Sequence, residues 1–453
     1  MARDAAAGPR GRAVSELDAA RDRFLARAPA PDAGPGGAAW LRALRAEGAA
    51  AFADAGIPGT DREEWRYTNA AALARIPFEP AAPGAEVARE AVEEVAVPFF
   101  ACSAFVFVDG RYAPALGAPP ALATGLRVDG LAQRAREGAP RPAALGELAD
   151  PKQHPFAALQ AAYLEDGAVV SVPAGASLAH PIHLVFVTTG APGAPRASFP
   201  RVVVEAGRES RALVVQDHVS LGGGPRFTCA VTEARVGEGA SLELVVLQRE
   251  GAETFHVGNV QARVARDARL ASRVLSLGGA FVRNDLGVVL AEPGAECDVD
   301  GLFLGAGDGL VDNHTLVDHA SPHATSRQLY KGVLGGRSRG VFRGRIVVRP
   351  DAQKSDARQA SANLVLSDGA EIDTKPQLEI WADDVRCSHG ATIGRLDPDA
   401  LFYLRSRGLA ETAARDLLTR GFVAEVLQRI GSEALADAAG EILVAALRAE
   451  AAR

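Results

Sequence analysis

The amino-acid sequence predicts a mainly β protein, a parallel β-helix (β-solenoid) flanked by N-terminal and C-terminal helical regions. Three observations carry this expectation. From about residue 167 to about 396, short β-rich runs alternate with turns and no strong amphipathic helix intervenes. Within that stretch the turns recur. A Gly or Asp (once a His) followed by Ala or Arg stands at Gly175, Gly207, Gly239, Asp267, Gly294, His323 and Asp351, with gaps of 32, 32, 28, 27, 29 and 28 residues. Helical patterns occupy both sides of the repeat. A period of this length is short of a propeller blade, which takes roughly 40–50 residues, and suits a β-helix coil whose inward positions stack into one continuous core.

Three regions follow: 1–165, mostly helical; 166–396, the β-helix; and 397–453, helical again. In the first, a helical stretch near Val14–Ala28 precedes a Pro/Gly linker at 28–37, and Ala38–Ala55 reads as a helix on its apolar residues Leu41, Leu44 and Phe52. EEWRYTN (63–69) follows a break, AFVFVDGRY (104–112) is a strand entering a turn at Asp109-Gly110, and HPFAALQAAYL (154–164) is a helix. In the second region VVSV (169–172), LVFV (184–187), VVV (202–204), LVV (213–215), LELVVL (242–247) and IVV (346–348) are strands. A bare solenoid end exposes unpaired backbone groups, so the helical regions are expected to cover the ends. In the third region Asp397 caps Asp399–Arg407, Gly408 ends that helix, and Glu411–Ile430 carries Leu418, Phe422, Val426 and Ile430 at i, i+4 spacing on one face. That face either packs on the solenoid or receives a partner. A last helix spans Glu433–Ala452.

Composition narrows the function classes. Of 453 residues, 48% are apolar and 23% charged, an ordinary balance for a globular chain, and the net charge of −7 argues against a nucleic-acid binder. No run approaches the roughly 18 apolar residues that read as a membrane span, and no apolar segment follows MARDAAAGPRGRAV, so a cytoplasmic protein without a signal peptide is expected. The four cysteines, Cys102, Cys229, Cys297 and Cys387, form no C-x-x-C pair and no disulfide framework.

The motifs are weak one by one. GRSRG (336–340) spells a nucleophile elbow, but that device needs a strand turning into a helix, and here strand follows strand; Ser338 is read as a polar turn residue. No G-x-x-x-x-G-K-[ST] is present, so the chain is not expected to hydrolyse ATP. His314, His319 and His323 lie close in sequence, yet His314 and His319 differ by an odd number and face opposite sides of a strand, as do His180 and His183. CSHGAT (387–392) is the best constellation. Cys387 and His389 share one face, about 7 Å apart along the strand, and thiolate with imidazole suits zinc, iron or iron–sulfur clusters. Two donors do not complete such a centre, and the residues alone favour core packing for this pair.

The stretch Leu329–Leu409, with DNHTLVDHASPHATSRQ before it and EEWRYTN near the N-terminus, resembles the SufB/SufD family of iron–sulfur cluster assembly proteins. The CSHGAT…IG…LD…LFYL…SRG wording is similar to the SufD side. SufB-type chains carry a cysteine in the stretch that here reads ARQASANLVLSD (357–368), where Ser361 and Asn363 stand instead. The resemblance implies a right-handed β-helix and a non-catalytic scaffold subunit that pairs with a SufB-type chain and with a SufC-type ABC ATPase docked on the C-terminal helices. It implies a transient iron–sulfur cluster at the junction with SufB, no cofactor held stably by this chain, His389 as a cluster residue and Cys387 as its matching neighbour. A homodimer of the isolated chain is a further expectation. Two other readings compete: a stand-alone β-helix enzyme acting on polysaccharide, for which three Trp and five Tyr offer little sugar-stacking surface, and a SufB-like homo-oligomer holding its own cluster, which the low cysteine count disfavours.

Overall fold

The computed structural model describes residues 9–30, 32, 38–97, 103–117 and 125–451; Cys102 and most of the 28–37 linker lie outside them. From Ala168 onward the chain alternates between two parallel sheets. One takes the strands Ala168–Val172, Arg201–Ala206, Arg226–Val236, Thr254–Val264, Phe281–Leu290, Leu310–His319, Arg339–Val348 and Glu371–Ile380. The other takes Ile182–Thr189, Arg211–Leu221, Ser241–Gln248, Arg269–Ser276, Glu296–Gly305, Thr325–Leu334, Asp356–Val365 and Arg386–Gly394. One strand of each makes a coil. In the second sheet the register steps from Arg211 by 30 residues to Ser241, 28 to Arg269, 27 to Glu296, 29 to Thr325, 31 to Asp356 and 30 to Arg386, so equivalent residues stack coil upon coil.

The repeat seen in the sequence is a column of left-handed turn residues: Gly175, Glu209, Gly239, Asp267, Gly294, His323 and Lys354, with φ between 50° and 75°. Each donates its backbone N–H to a carbonyl of the next coil, as Gly239 does to Arg266 at 2.9 Å and His323 to Gln353 at 2.9 Å. Two expected members differ. At those coils Glu209 and Lys354 take the left-handed conformation in place of Gly207 and Asp351. Gly207 serves closeness instead, since a Cβ there would stand 2.7 Å from the Ala174 nitrogen of the neighbouring coil.

Inward residues of both sheets form the core. It is apolar along the turn side, where Val236, Leu242, Val264, Leu270 and Leu290 meet. Large inward side chains are accommodated by inward glycines: a Cβ on Gly301 would meet the Tyr330 ring at 2.1 Å, and one on Gly332 would meet the Phe303 ring at 2.4 Å. Outward, the first sheet bears the in-register column Phe227, Phe255 and Phe281, onto which Phe24, Trp65, Phe78 and Phe156 of the N-terminal region pack. That region contains the helices Pro9–Arg27, Ala39–Ala55 and Pro155–Ala162.

The ends are treated unequally. At the first coil the cover is made of strands rather than helices. Ser103–Val108 pairs parallel to Ile182–Thr189 and turns at Asp109-Gly110, both at positive φ, into Arg111–Tyr112, while Arg127–Gly130 pairs antiparallel to Ala168–Val172. At the last coil no strand among the described residues is added to Glu371–Ile380 or Arg386–Gly394, and nearly all of the latter is exposed. Pro376 sits in the terminal strand of the first sheet, the place where a residue without an N–H is tolerated.

The C-terminal helices Glu411–Leu427 and Glu433–Ala451 pack along the side of the second sheet. Val423, Val426, Ile430, Leu435 and Leu443 bury themselves against the outward Val245, Leu275, Leu302, Leu304 and Val333. Of the two readings of the Leu418, Phe422, Val426 and Ile430 face, packing on the solenoid holds for Val426 and Ile430, which corrects the partner-facing expectation for those two. Val426 and Ile430 are buried in the chain's own packing, Phe422 is half-buried against the same cluster with Lys331 over its ring, and Leu418 is half-buried. The outward column of Leu and Val on the sheet needs an apolar cover, and this helical face supplies it. Leu417 is the exposed leucine of that helix.

Candidate functional site

The open last coil holds the strongest candidates. The strand Arg386–Gly394 pairs in register with Asp356–Val365, placing Cys387 beside Ala357 and His389 beside Gln359. Ala357 and Gln359 are buried, lumen-facing residues, so Cys387 and His389 share the lumen side of the terminal strand, as i and i+2 must. They are exposed unequally. His389 is exposed, whereas Cys387 is half-buried against the core, and burial pushes its thiol above the ordinary value, with Asp356 adding to the rise. Behind His389 runs a buried polar row: Gln359 donates to Gln328, and Gln328 donates to Thr315. Exposed apolar side chains concentrate on this coil and the helix after it: Ile380, Trp381, Ile393, Phe402 and Tyr403. Of the seven exposed large apolar side chains among the described residues, these five gather at one end of the solenoid.

The donor chemistry, a thiol with an imidazole, fits a soft or borderline metal centre, but it amounts to two donors. Among the described residues no group of three or more His, Cys, Asp or Glu is arranged to hold a metal ion.

The other histidines go to separate places. His314 faces outward, its Nε2 3.0 Å from Asp312. His319 faces the lumen between Ser326 and Ser355, and burial lowers its pKa to about 4. His323 is a turn residue. His183 is buried 3.6 Å from Asp217, and His180 is exposed in the preceding loop. Ser338 is buried between two strands, its hydroxyl donating to the Gly335 carbonyl at 2.7 Å, so GRSRG is a turn without a nucleophile.

Two groupings were missed. EEWRYTN and DNHTLVDH meet across the first sheet. Arg283 lies 3.8 Å over the Trp65 ring and donates to Asp312 at 2.7 Å, and Thr68 donates to the same carboxylate. Inside the lumen Glu250 takes hydrogen bonds from Thr228 at 2.5 Å and Gln248 at 3.2 Å and stands 2.7 Å from Nδ1 of His256, which meets the His218 ring edge-on. The first was untraceable along the chain. The second left one faint signal, polar residues one coil length apart.

The family described as SUF system FeS cluster assembly, SufBD core domain, matches residues 186–422, and the SufBD protein N-terminal region matches 35–184. The chain belongs to the SufBD family. It is 31% identical to the iron–sulfur cluster assembly protein SufD of Escherichia coli over 84% of this chain and 87% of that one. A SufBD family protein of Synechocystis is 32% identical over 83% and 84%, and Bacillus subtilis SufD is 28% identical over 62% and 64%. As a SufBD protein the chain is an iron–sulfur cluster assembly protein, which sets aside the polysaccharide enzyme. No helix among the described residues is long and apolar enough to cross a membrane.

Proposed function

We propose that this SufBD protein is a SufD-type scaffold subunit that does no chemistry alone, pairs with a SufB-type chain across its open last coil, and presents His389 to a nascent iron–sulfur cluster formed there as cargo. The observation that supports this reading most is the placement of His389. It is an exposed imidazole on the lumen side of a terminal strand whose outer edge no strand among the described residues pairs. An unpaired edge is a template for another chain's strand, and the missing donors would arrive with that chain. Cys387, half-buried with its thiol held protonated, is a poorer donor and takes a supporting role.

A SufC-type ATPase would dock on the solvent side of the C-terminal helices, where Leu417 is exposed, because their inner side is spent on the second sheet. Truncating the chain after Gly408 would therefore also strip the cover from Val245, Leu275 and Leu302. The cleaner test is co-expression with the SufB- and SufC-type partners, comparing wild type with Leu417→Arg and His389→Ala. Loss of the ATPase alone from the first variant, and an intact complex that forms no cluster from the second, is the expected result. A His389→Ala complex that assembles clusters at the wild-type rate would sink the assignment.

A further inference from the structure

Resting on the reading that His389 binds the nascent cluster, we propose that Gln359 is the positioning residue that aims it: the Gln359 Oε1 accepts the His389 ring N–H, selecting one tautomer and turning the other ring nitrogen outward. Gln328, Gln359 and His389 occupy one inward column on three successive coils, about 4.8 Å apart. In the polar row below, the carboxamides run in one sense. Gln328 Nε2 donates to Thr315 Oγ1, leaving Gln328 Oε1 to accept from Gln359 Nε2. Gln359 Nε2 is thereby committed to the coil beneath it, and Oε1 is its remaining polar atom. That oxygen is buried and has no partner, on a side chain 3% exposed. A buried acceptor without a donor costs on the order of 1–3 kcal/mol, so a strong local donor is called for.

The next residue up the column is His389, whose ring makes no hydrogen bond among the described residues. The space for Gln359 is itself built into the fold, because a Cβ on Gly344 would stand 2.1 Å from Gln359 Nε2. A histidine that ligates a metal commonly donates its second ring N–H to a carbonyl or carboxylate, which fixes both tautomer and ring orientation. Gln359 is placed to be that acceptor.

The test is a long-range ¹H–¹⁵N spectrum of the full chain labelled at histidine, with the His389 signals identified by their loss in His389→Gln. One tautomer is expected to dominate at His389 in the wild type. Gln359→Leu removes the acceptor, and Gly344→Ala displaces it while keeping every polar group; both are expected to give a mixed population and to slow cluster formation by the complex about 10-fold. A mixed population in the wild type, or one that neither substitution alters, overturns the proposal, and the wild-type spectrum decides this even if a variant misfolds. If the tautomer is selected and lost as expected while His389→Ala assembles clusters normally, the hydrogen bond stands and the assembly reading falls.

Discussion

Replacing Asp312 by Ala is expected to release the EEWRYTN segment from the solenoid without unfolding the coils. Asp312 is fully buried, accepts hydrogen bonds from Arg283 and Thr68, and has the His314 ring nitrogen 3.0 Å away. Breaking a buried ion pair from one side costs about 3–5 kcal/mol, because the remaining charge is stranded. Arg283 keeps Asp285 at 2.8 Å, so the lower end, about 3 kcal/mol, applies, and this corresponds to roughly a 100-fold rise in local opening. Hydrogen exchange on peptides covering Glu63–Arg75 reads it directly: their protection falls about 100-fold while strands such as Ser241–Gln248 stay protected. Asp312→Asn retains an acceptor for Thr68 and loses the charge, so a smaller effect, about 1–2 kcal/mol, is expected. Unchanged exchange at 63–75 in a folded Asp312→Ala chain would refute the view that this cluster holds the segment. The pH dependence has a definite sign. Burial raises the Asp312 pKa, but His314 and Arg283 outweigh it and hold it below the ordinary carboxylate value. Its contribution is present above the unfolded value near 3.9 and is lost as pH falls through the lower folded value.

Buried neutral histidines act over a different window. His319 and His218 are both lowered to about 4 by burial, with the neighbouring His256 also lowering His218. Each favours the folded state above its unfolded value near 6.5, and that stability drains as pH falls from there toward 4; urea midpoints across this range are expected to flatten in His319→Gln. Gly301→Ala forces a methyl into the Tyr330 ring and is expected to destabilise the chain by about 1–3 kcal/mol, measured by urea unfolding, whereas Gly390→Ala, with open space around it, is expected to be neutral. A thiol reagent on the native chain is expected to leave Cys229 and Cys297 unmodified, since both are buried with thiols pushed far up, and to modify Cys387 slowly; rapid reaction at Cys229 would mean that the N-terminal cover opens readily.

The solenoid was legible because in-register stacking forces every coil to nearly one length and places one left-handed residue at the same point of each. The signal failed where that residue is not a glycine. Glu209 and Lys354 carry no mark of their conformation in the sequence, and the nearby Gly207 and Asp351 stood in for them. The sharing of one side by Cys387 and His389 followed from parity. The exposure of their strand did not, since it depends on where pairing stops. Helical periodicity located the helix, read as Glu411–Ile430 and ending at Leu427, and found part of its buried stripe. The buried positions are Ala414, Thr419, Val423 and Val426, and a small residue and a threonine among them weaken the apolar pattern. The Thr68–Asp312 contact joins residues 244 apart, a distance that no local spacing reports.

The unequal ends also set a gradient of cohesion along the axis. Every interior strand is hydrogen-bonded on two sides, and the middle coils are clamped by helical covers as well, whereas Arg386–Gly394 is held through Asp356–Val365 alone. In a stack where each coil leans only on its neighbours, the last rung frays at the lowest free energy. The strand that carries His389, with Glu371–Ile380 beside it, is thus expected to fray before the interior coils do. A second chain adding its own strand would convert the loosest rung into an interior one, so arrival of a partner would be felt first, as tightening, at the imidazole itself.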